Sequence, residues 1–224
     1  CTQKLATALQ PAYSEVGQFI RNAPIVGTDE TGHKNPAHKS MWVWCQQTPE
    51  AVFFHISNSR ASQVLSDILG KDYSGIIICD YFSANKKFIK ESNASVQYCW
   101  AHLIRDIKFL VMLENKRFKG WSESLLNILR KIFGLWKTRH SRHPGRYKIS
   151  IEKLKKVFLR KVKHRPNHDE AKNIKKRFVD GGDKNYFLFL ERQGVSPTNN
   201  LSEQAIRFVV IDRRVTQGTR SWSG

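Results

Sequence analysis

The chain has 224 residues, of which 40% are hydrophobic, so it is long enough to bury one substantial core or a core plus an inserted module. It contains no run of about 18 apolar residues, which excludes a membrane-spanning helix. The formal net charge of +19 favours a polyanionic partner, most simply nucleic acid.

The positive charge is concentrated in one segment of the chain. Residues 101–180 hold 23 Lys and Arg against 7 Asp and Glu, whereas residues 1–100 hold 9 against 8. A solvated helical surface is the alternative explanation, but such helices usually balance Lys with Glu one turn away, and this segment lacks that balance. The segment therefore favours binding to nucleic acid.

The four cysteines form no C-x-x-C pair. Cys45, Cys79 and Cys99 each lie in an apolar run, where reduced cysteine packs as a small hydrophobe. The pattern favours a cytoplasmic protein without disulfides. The chain begins at Cys1 and ends on SWSG without a terminating element, so we expect it to be part of a longer protein.

The predicted elements begin with a helix over residues 3–20, in which apolar residues recur on one face. Three runs rich in β-branched and aromatic residues follow: PIVGTDE, SMWVWCQQT and AVFFHISN. The connections between them, residues 32–39 and 48–50, are short and predict an antiparallel meander. We expect Asp29 to end the first strand.

A second helix opens at Ser59 and is closed by Gly70. GIIICDYF is a continuous apolar run, typical of a strand buried on both faces, and this strand ends at Asp80. A short helix over residues 83–91 and a further strand in SVQYCWAH complete the order βββαβαβ. This order predicts an α/β fold in which helices pack on a mixed sheet.

The pattern becomes helical after the last of these strands. Residues 103–192 show helical spacing of apolar residues and no convincing strand, and a final helix begins near Thr198. We therefore predict a first part of the α/β core, a basic helical insertion and a final helix with a basic tail. These parts comprise residues 1–102, 103–197 and 198–224.

Three acidic residues fall where such a sheet binds ligands. Asp29 and Asp80 follow apolar strands, and Glu203 lies one turn into a helix that Asn199 or Asn200 can cap. Carboxylates converging from two strands and a helix could hold two divalent cations, which activate a water or hydroxyl and stabilise the leaving oxygen in phosphodiester chemistry. Oxygen ligands suit Mg²⁺, with Mn²⁺ as a substitute, and not zinc. The alternative makes Asp29 a turn residue and Glu203 a first-turn acid favoured by the helix dipole.

Four strings occur in order along the chain: TDETGH, CDYFSA, YCWAHLIRD and PTNNLSEQAIR. Together they resemble the catalytic domain of the insertion-sequence sixty-six group of bacterial DDE transposases, over nearly the whole chain. The resemblance implies a ribonuclease-H-like fold with a helical insertion before the last catalytic helix. It also implies that Asp29, Asp80 and Glu203, separated by 51 and 123 residues, form the catalytic and metal-binding triad. His33 stands where this family usually carries an aromatic residue.

The function implied by the resemblance is Mg²⁺-dependent hydrolysis of the phosphodiester at transposon ends, followed by strand transfer into target DNA. The implied partners are double-stranded DNA, at the transposon ends and at the target, and a second copy of the protein in the synaptic complex. The implied location is the bacterial cytoplasm, with the nucleoid. Two alternatives stay open: a nuclease with the same triad but no strand transfer, and a catalytically inactive DNA-binding remnant.

Basic residues near the triad are candidates for contacts to DNA. The family motif implies that His102 contacts the scissile phosphate; the alternative is a helix-start histidine satisfied by the backbone. Arg207 lies four residues after Glu203 on the same helical face and could bind a phosphate or pair with Glu203. The remaining candidates for phosphate contact are Arg105, Arg213, Arg214 and Arg220.

Two residues beside the triad are predicted to support it. Glu30 points to the opposite face of the strand from Asp29 by alternation, and Asn200 belongs to the first turn of the last helix. Cys99 and His102 have C-x-x-H spacing, but the sequence contains no second pair at zinc-ligand spacing, which argues against a zinc site.

Overall fold

The computed structural model describes residues 2–35, 38–113, 116–179 and 182–217. The chain divides into two compact units. The sheet unit comprises Cys1–Cys99 and Arg192–Gly224, and the helical unit comprises Trp100–Glu191. Within the described ranges, no helix is both long enough and apolar enough to cross a membrane.

Nine α-helices and five strands form in the described part of the chain. The strands are β1 (Ile25–Asn35), β2 (His38–Gln47), β3 (Val52–Ser57), β4 (Ile76–Cys79) and β5 (Ser95–Tyr98). The helices are α1 (Thr2–Asn22), α2 (Ser62–Leu69), α3 (Ser83–Glu91), α4 (Trp100–Met112), α5 (Lys116–Lys137), α6 (Pro144–Lys163), α7 (Asp169–Val179), α8 (Gly182–Phe187) and α9 (Asn200–Thr216).

A mixed five-stranded sheet forms the centre of the sheet unit, with the strands in the order β3-β2-β1-β4-β5. β2 pairs antiparallel with both β1 and β3, whereas β4 pairs parallel with both β1 and β5. The predicted α/β class with a mixed sheet is confirmed, and the arrangement is compatible with a ribonuclease-H-like fold. β4 lies between two neighbours, which explains why its sequence is apolar throughout: Ile77 and Cys79 are fully buried.

The prediction that Asp29 ends the first strand is wrong. β1 continues to Asn35, because its second half pairs with β2. Residues 32–35 and 38–39 therefore belong to strands and not to a connection. On its other side β1 pairs with β4 only over Ile25–Gly27. Asp29 therefore lies in the middle of β1, beside the point where β4 ends.

The helical unit has an aromatic core of its own. Trp100 packs edge-to-face against Phe187 and Phe189, and its indole N–H donates to the carbonyl of Tyr186. Trp121 also belongs to a buried part of this unit: it is 7% exposed, and its indole N–H donates to the Lys161 carbonyl. Between 100 and 191, the described residues form helices and no strand.

The first turn of α9 packs directly onto β1 at Gly27. A Cβ atom at Gly27 would lie 2.3 Å from the hydroxyl oxygen of Ser202, which is fully buried, and 3.3 Å from Oδ1 of Asn199. The side-chain amide of Asn199 donates to the carbonyl of Thr28 at 2.8 Å. The absence of a side chain at Gly27 therefore sets how closely α9 approaches the sheet.

Gly27→Ala should destabilise the protein, because the added methyl group overlaps Ser202 in a well-packed contact. We expect a loss of about 1–3 kcal/mol in the free energy of unfolding, measured by urea titration. Gly134→Ala is the matched control: nothing lies within 4 Å of the added atom, and Gly134 is inside α5. The control should be neutral or stabilise the protein by about 0.5–1 kcal/mol. Equal effects of the two changes would contradict the packing described.

Candidate metal centre

The register of two parallel strands brings Asp29 and Asp80 side by side. Gly27 on β1 pairs with Ile78 on β4. Asp29 lies two residues after Gly27, and Asp80 lies two residues after Ile78. Because residues two apart on a strand share a face, this register directs both carboxylates to the face at which Gly27 meets α9.

Glu203 reaches the same face from the first turn of α9. Its neighbour Ser202 is buried against Gly27, and the helix start is fixed by Asn199. The backbone N–H of Asn199 donates to Sγ of Cys99 at 3.3 Å, in addition to the bond from its side chain to β1. Asn200, the predicted supporting residue, is the exposed first residue of α9, so Asn199 makes these contacts instead.

Within the sheet unit, Asp80, Cys99 and Glu203 each offer a ligand atom within 4.8 Å of the others. Cys99 was not predicted as part of the site, although its place between β5 and α4 could have suggested it. Its sulfur accepts the backbone hydrogen bond from Asn199, which gives the thiol a structural role beside the two carboxylates.

Asp29 does not belong to that group of three, but the negative charges of Asp80 and Glu203 act on its carboxyl group. Burial first, and then the negative charges of Asp80, Glu30 and Glu203, together raise the pKa of the Asp29 carboxyl to about 7. One hydrogen bond opposes the shift: the backbone N–H of Glu30 donates to Oδ1 of Asp29 at 2.9 Å. The structure thus gathers the three predicted carboxylates into one region of excess negative charge.

This arrangement fits a divalent cation. Close carboxylates repel one another, and the raised pKa of Asp29 records that repulsion together with burial. A bound cation would offset the repulsion, and oxygen donors from Asp29, Asp80 and Glu203 suit Mg²⁺ or Mn²⁺. A carboxyl with a pKa near neutrality that sits among other carboxylates is also a mark of functional sites in general.

Glu30 faces away from the three carboxylates and pairs with Arg60. Both Nε and Nη2 of Arg60 donate to Oε1 of Glu30, at 3.1 and 2.7 Å, and the Glu30 side chain is only 7% exposed. Burial raises the pKa of Glu30, while the hydrogen bonds and charge of Arg60 lower it. Arg60 could not be predicted from the sequence, because no local signal connects residues 30 positions apart.

The basic residues predicted on α9 differ in their surroundings. Arg207 is exposed, and it forms no ion pair with any residue that the structure describes. Arg213 is held to β1, since its guanidinium donates to the carbonyl of Gly32 and, at 3.2 Å, to the hydroxyl of Thr31. Arg214 is exposed, and Arg220 lies outside the described residues.

His33, which the sequence did not place, lies on β1 opposite Met41. It lines an open cleft of about 660 Å³ together with Arg213, Arg214 and Trp42. This cleft is next to the C-terminal part of α9. Two arginines, Lys34 and the histidine line this cleft, and no acidic residue in the described ranges does, so the cleft is basic.

His102 and Arg105 belong to α4 in the helical unit. His102 is half-buried, and Arg105 is exposed on the surface of the helix. Asp106, which follows them, accepts a 2.6 Å ion-pair hydrogen bond from Arg177. The contacts of His102 and Arg105 to phosphate stay predictions.

The comparison with known proteins gives one family. The family model described as "Transposase IS66 family" matches residues 1–224. No curated protein matches the chain. The family match includes both compact units, so it is not confined to the sheet that carries the carboxylates.

Asp29 should give the metal-free protein a specific pH dependence. Between about pH 4 and pH 7 the folded protein keeps a proton on Asp29 that the unfolded chain has lost, so the free energy of unfolding falls as the pH rises. At about 1.4 kcal/mol per pKa unit, the loss reaches at most about 4 kcal/mol above pH 7. Asp29→Asn should therefore be more stable than the wild type at pH 8, and about equally stable at pH 4.

Urea titrations without divalent cations measure this difference. Adding Mg²⁺ at pH 8 should then stabilise the wild type more than Asp29→Asn, because the variant lacks one of the carboxylates that would hold the cation. A stability difference that stays the same at both pH values would contradict the description of Asp29.

Proposed function

The chain belongs to the Transposase IS66 family, and we propose on this premise that it carries the catalytic site of a DDE transposase. In this proposal the site hydrolyses the phosphodiester bond at transposon ends and then joins the freed 3′-hydroxyl to target DNA. The substrate is double-stranded DNA, and a second copy of the protein joins the synaptic complex. In this proposal the basic helical insertion predicted at 103–197, most of which falls within the helical unit, interrupts a ribonuclease-H-like core.

The observation that carries the proposal is the meeting of three carboxylates on one face of the sheet. Asp29 and Asp80 come from neighbouring parallel strands, and Glu203 comes from the helix that packs over them. Asp80 and Glu203 offer ligand atoms within 4.8 Å of each other, and the pKa of Asp29 responds to both. These residues are far apart in the sequence, and the fold brings them together.

The three carboxylates share one task in this mechanism, which is to hold the metal ions. Asp29, Asp80 and Glu203 would hold two Mg²⁺ ions, with Mn²⁺ as a substitute. When bound, such ions supply the positive charge that activates a water or hydroxyl and stabilises the leaving oxygen. Asp29 must lose its proton to take part, which its pKa near 7 allows at neutral pH.

The basic side chains would position the DNA. Arg207 is exposed one helical turn beyond Glu203, where its guanidinium can bind a backbone phosphate with two hydrogen bonds. Arg214 is exposed further along the same helix. His102, Arg105 and Arg220 stay candidates for the same task. No covalent protein intermediate is needed, so the reaction requires no nucleophilic Ser, Cys or Tyr.

The proposal is tested with the full-length protein, pre-nicked transposon-end DNA and Mg²⁺. Asp80→Ala and Glu203→Ala should each lower the yield of joined product by more than about 100-fold, since even groups behind the ligands typically cost 10–100-fold. Asp212→Ala is the matched control: it removes an exposed acid from the same helix as Glu203 and should leave joining intact.

The products distinguish the proposed function from its alternatives. Joined product that is lost in both triad variants supports a transposase. Cleavage without joining in the wild type would indicate a nuclease. DNA binding with no metal-dependent product would indicate an inactive remnant and overturn the proposal.

A further inference from the structure

The solvent face of α6 carries a row of cations. The residues recur at helical intervals of three, four or seven, so they lie along one side of the helix, and all are exposed. The opposite side is buried in the helical unit through Ile151, Phe158 and Val162. The row, named the α6 basic stripe, consists of Arg146, Lys153, Lys156, Arg160 and Lys163.

The charge of the α6 basic stripe is not balanced by nearby acids. Glu152 is the one acidic residue in the sequence of α6, and it pairs at 3.1 Å with Lys155, which is not in the stripe. No member of the stripe forms an ion pair with any residue in the described ranges. Elsewhere in the helical unit such pairs do form, as between Arg177 and Asp106.

We infer that the α6 basic stripe binds the phosphate backbone of duplex DNA during transposition. At about 1.5 Å of rise per residue the stripe runs for roughly 26 Å. One strand of a DNA duplex carries a phosphate about every 3.4 Å along the axis, so the stripe can follow a backbone for roughly seven base pairs. The inference rests on the proposed function, because it identifies the surface that holds the DNA substrate.

The physical character of α6 favours DNA over an anionic membrane. A helix that lies on a lipid surface inserts an exposed apolar face between the headgroups. The apolar face of α6 is already buried within the helical unit, and Ile149 is the one large apolar residue exposed along the helix. Long Lys and Arg side chains on a rigid helix instead suit contacts to phosphate that do not depend on base sequence.

The test measures the salt dependence of binding to a mixed-sequence DNA duplex. Four members of the stripe are replaced together by Gln: Lys153, Lys156, Arg160 and Lys163. The matched control replaces four exposed cations of the same types on α5 and α7 by Gln: Lys119, Arg130, Lys131 and Lys176. Both variants lose the same net charge, and circular dichroism checks that both keep their helices.

The expected result is a change in the slope of log K against log salt from about 50 to 200 mM. Each lost phosphate contact lowers the magnitude of the slope by about 0.9. The magnitude of the slope should therefore fall by roughly two to four in the stripe variant and by less than one in the control. Equal losses in both variants, or no loss in the stripe variant, would overturn the inference. Binding of the wild type to anionic vesicles with the affinity it has for DNA would also overturn it.

These results can be separated from a failure of the proposed function. A stripe that does not bind DNA leaves the joining reaction and its loss in Asp80→Ala unaffected. Conversely, a chain that binds DNA through the stripe but yields no metal-dependent product would leave this inference standing and overturn the proposed chemistry.

A second, independent observation concerns Arg60, in the connection between β3 and α2. Its guanidinium lies between two aromatic rings, 4.4 Å from the centre of Trp42 and 4.0 Å from the centre of Phe82. The same group donates two hydrogen bonds to Glu30. The neighbouring Ser59 carbonyl accepts a 3.1 Å bond from the Trp44 indole, so this connection is fixed to the sheet at two points.

The contacts of Arg60 join the two segments that carry the aspartates. Glu30 is the residue after Asp29 on β1, and Phe82 is two residues after Asp80. A planar guanidinium can stack and donate in a fork at the same time, which a lysine ammonium cannot do. We further infer that Arg60 is a positioning residue, which acts through Glu30 and Phe82 to hold the two aspartates at the spacing that a shared cation requires.

Arg60→Lys and Glu30→Gln test this role through binding of Mn²⁺ to the protein without DNA, measured by titration calorimetry. Each variant should weaken Mn²⁺ binding by about 10- to 100-fold, as is typical for groups that orient metal ligands. The double variant should be no weaker than the single variants, because both remove one shared interaction. Arg21→Lys is the matched control, since Arg21 donates to the carbonyls of Asp67 and Ile68.

The control distinguishes positioning from a general loss of stability. Arg21→Lys should lower the melting temperature and leave the Mn²⁺ affinity unchanged. If Arg60→Lys likewise lowers the melting temperature but binds Mn²⁺ as the wild type does, the inference is overturned. If the wild type itself binds no Mn²⁺, the proposed metal site fails, which is a different result.

Discussion

The close approach of α9 to β1 at Gly27 is the contact on which the site depends. Gly27 has no side chain, so the buried hydroxyl of Ser202 can lie against the backbone of the strand. Asn199 then fixes the start of the helix through the carbonyl of Thr28 and the sulfur of Cys99. This position brings Glu203 over the strands, and the fold assembles its third carboxylate from a helix more than 100 residues beyond the second.

The same assembly stores unfavourable electrostatic energy. Burial and three neighbouring carboxylates raise the pKa of Asp29 to about 7, so the metal-free site resists full ionisation. Carboxyl groups with a pKa raised in this way lower stability and are common at functional sites. Arg60 offsets part of the charge on the opposite face through Glu30, without reaching the carboxylates themselves. The sheet thus separates the face that carries Asp29, Asp80 and Glu203 from a face on which a carboxylate is paired with a guanidinium.

Much of the fold could be predicted because its signals are local. The apolar run of β4, the helix closed by Gly70 and the acidic position in α9 can all be read within about ten residues. The end of β1 could not be read in this way, because its extension to Asn35 depends on pairing with β2. The Arg60–Glu30 pair and the bonds of Asn199 join residues far apart in the chain, so no sequence window contains them. A cap pattern does not reveal which of two adjacent asparagines is buried, so the sequence predicts Asn200 as the supporting residue where the structure uses Asn199.

The most direct measurement is anomalous diffraction from crystals of the protein grown with Mn²⁺. Manganese should lie on the α9 face of the sheet with oxygen ligands from Asp29, Asp80 and Glu203, and its signal should be lost in Asp80→Ala. Manganese bound elsewhere, or held without Asp29 and Glu203, would contradict the claim that β1, β4 and α9 together build one metal site.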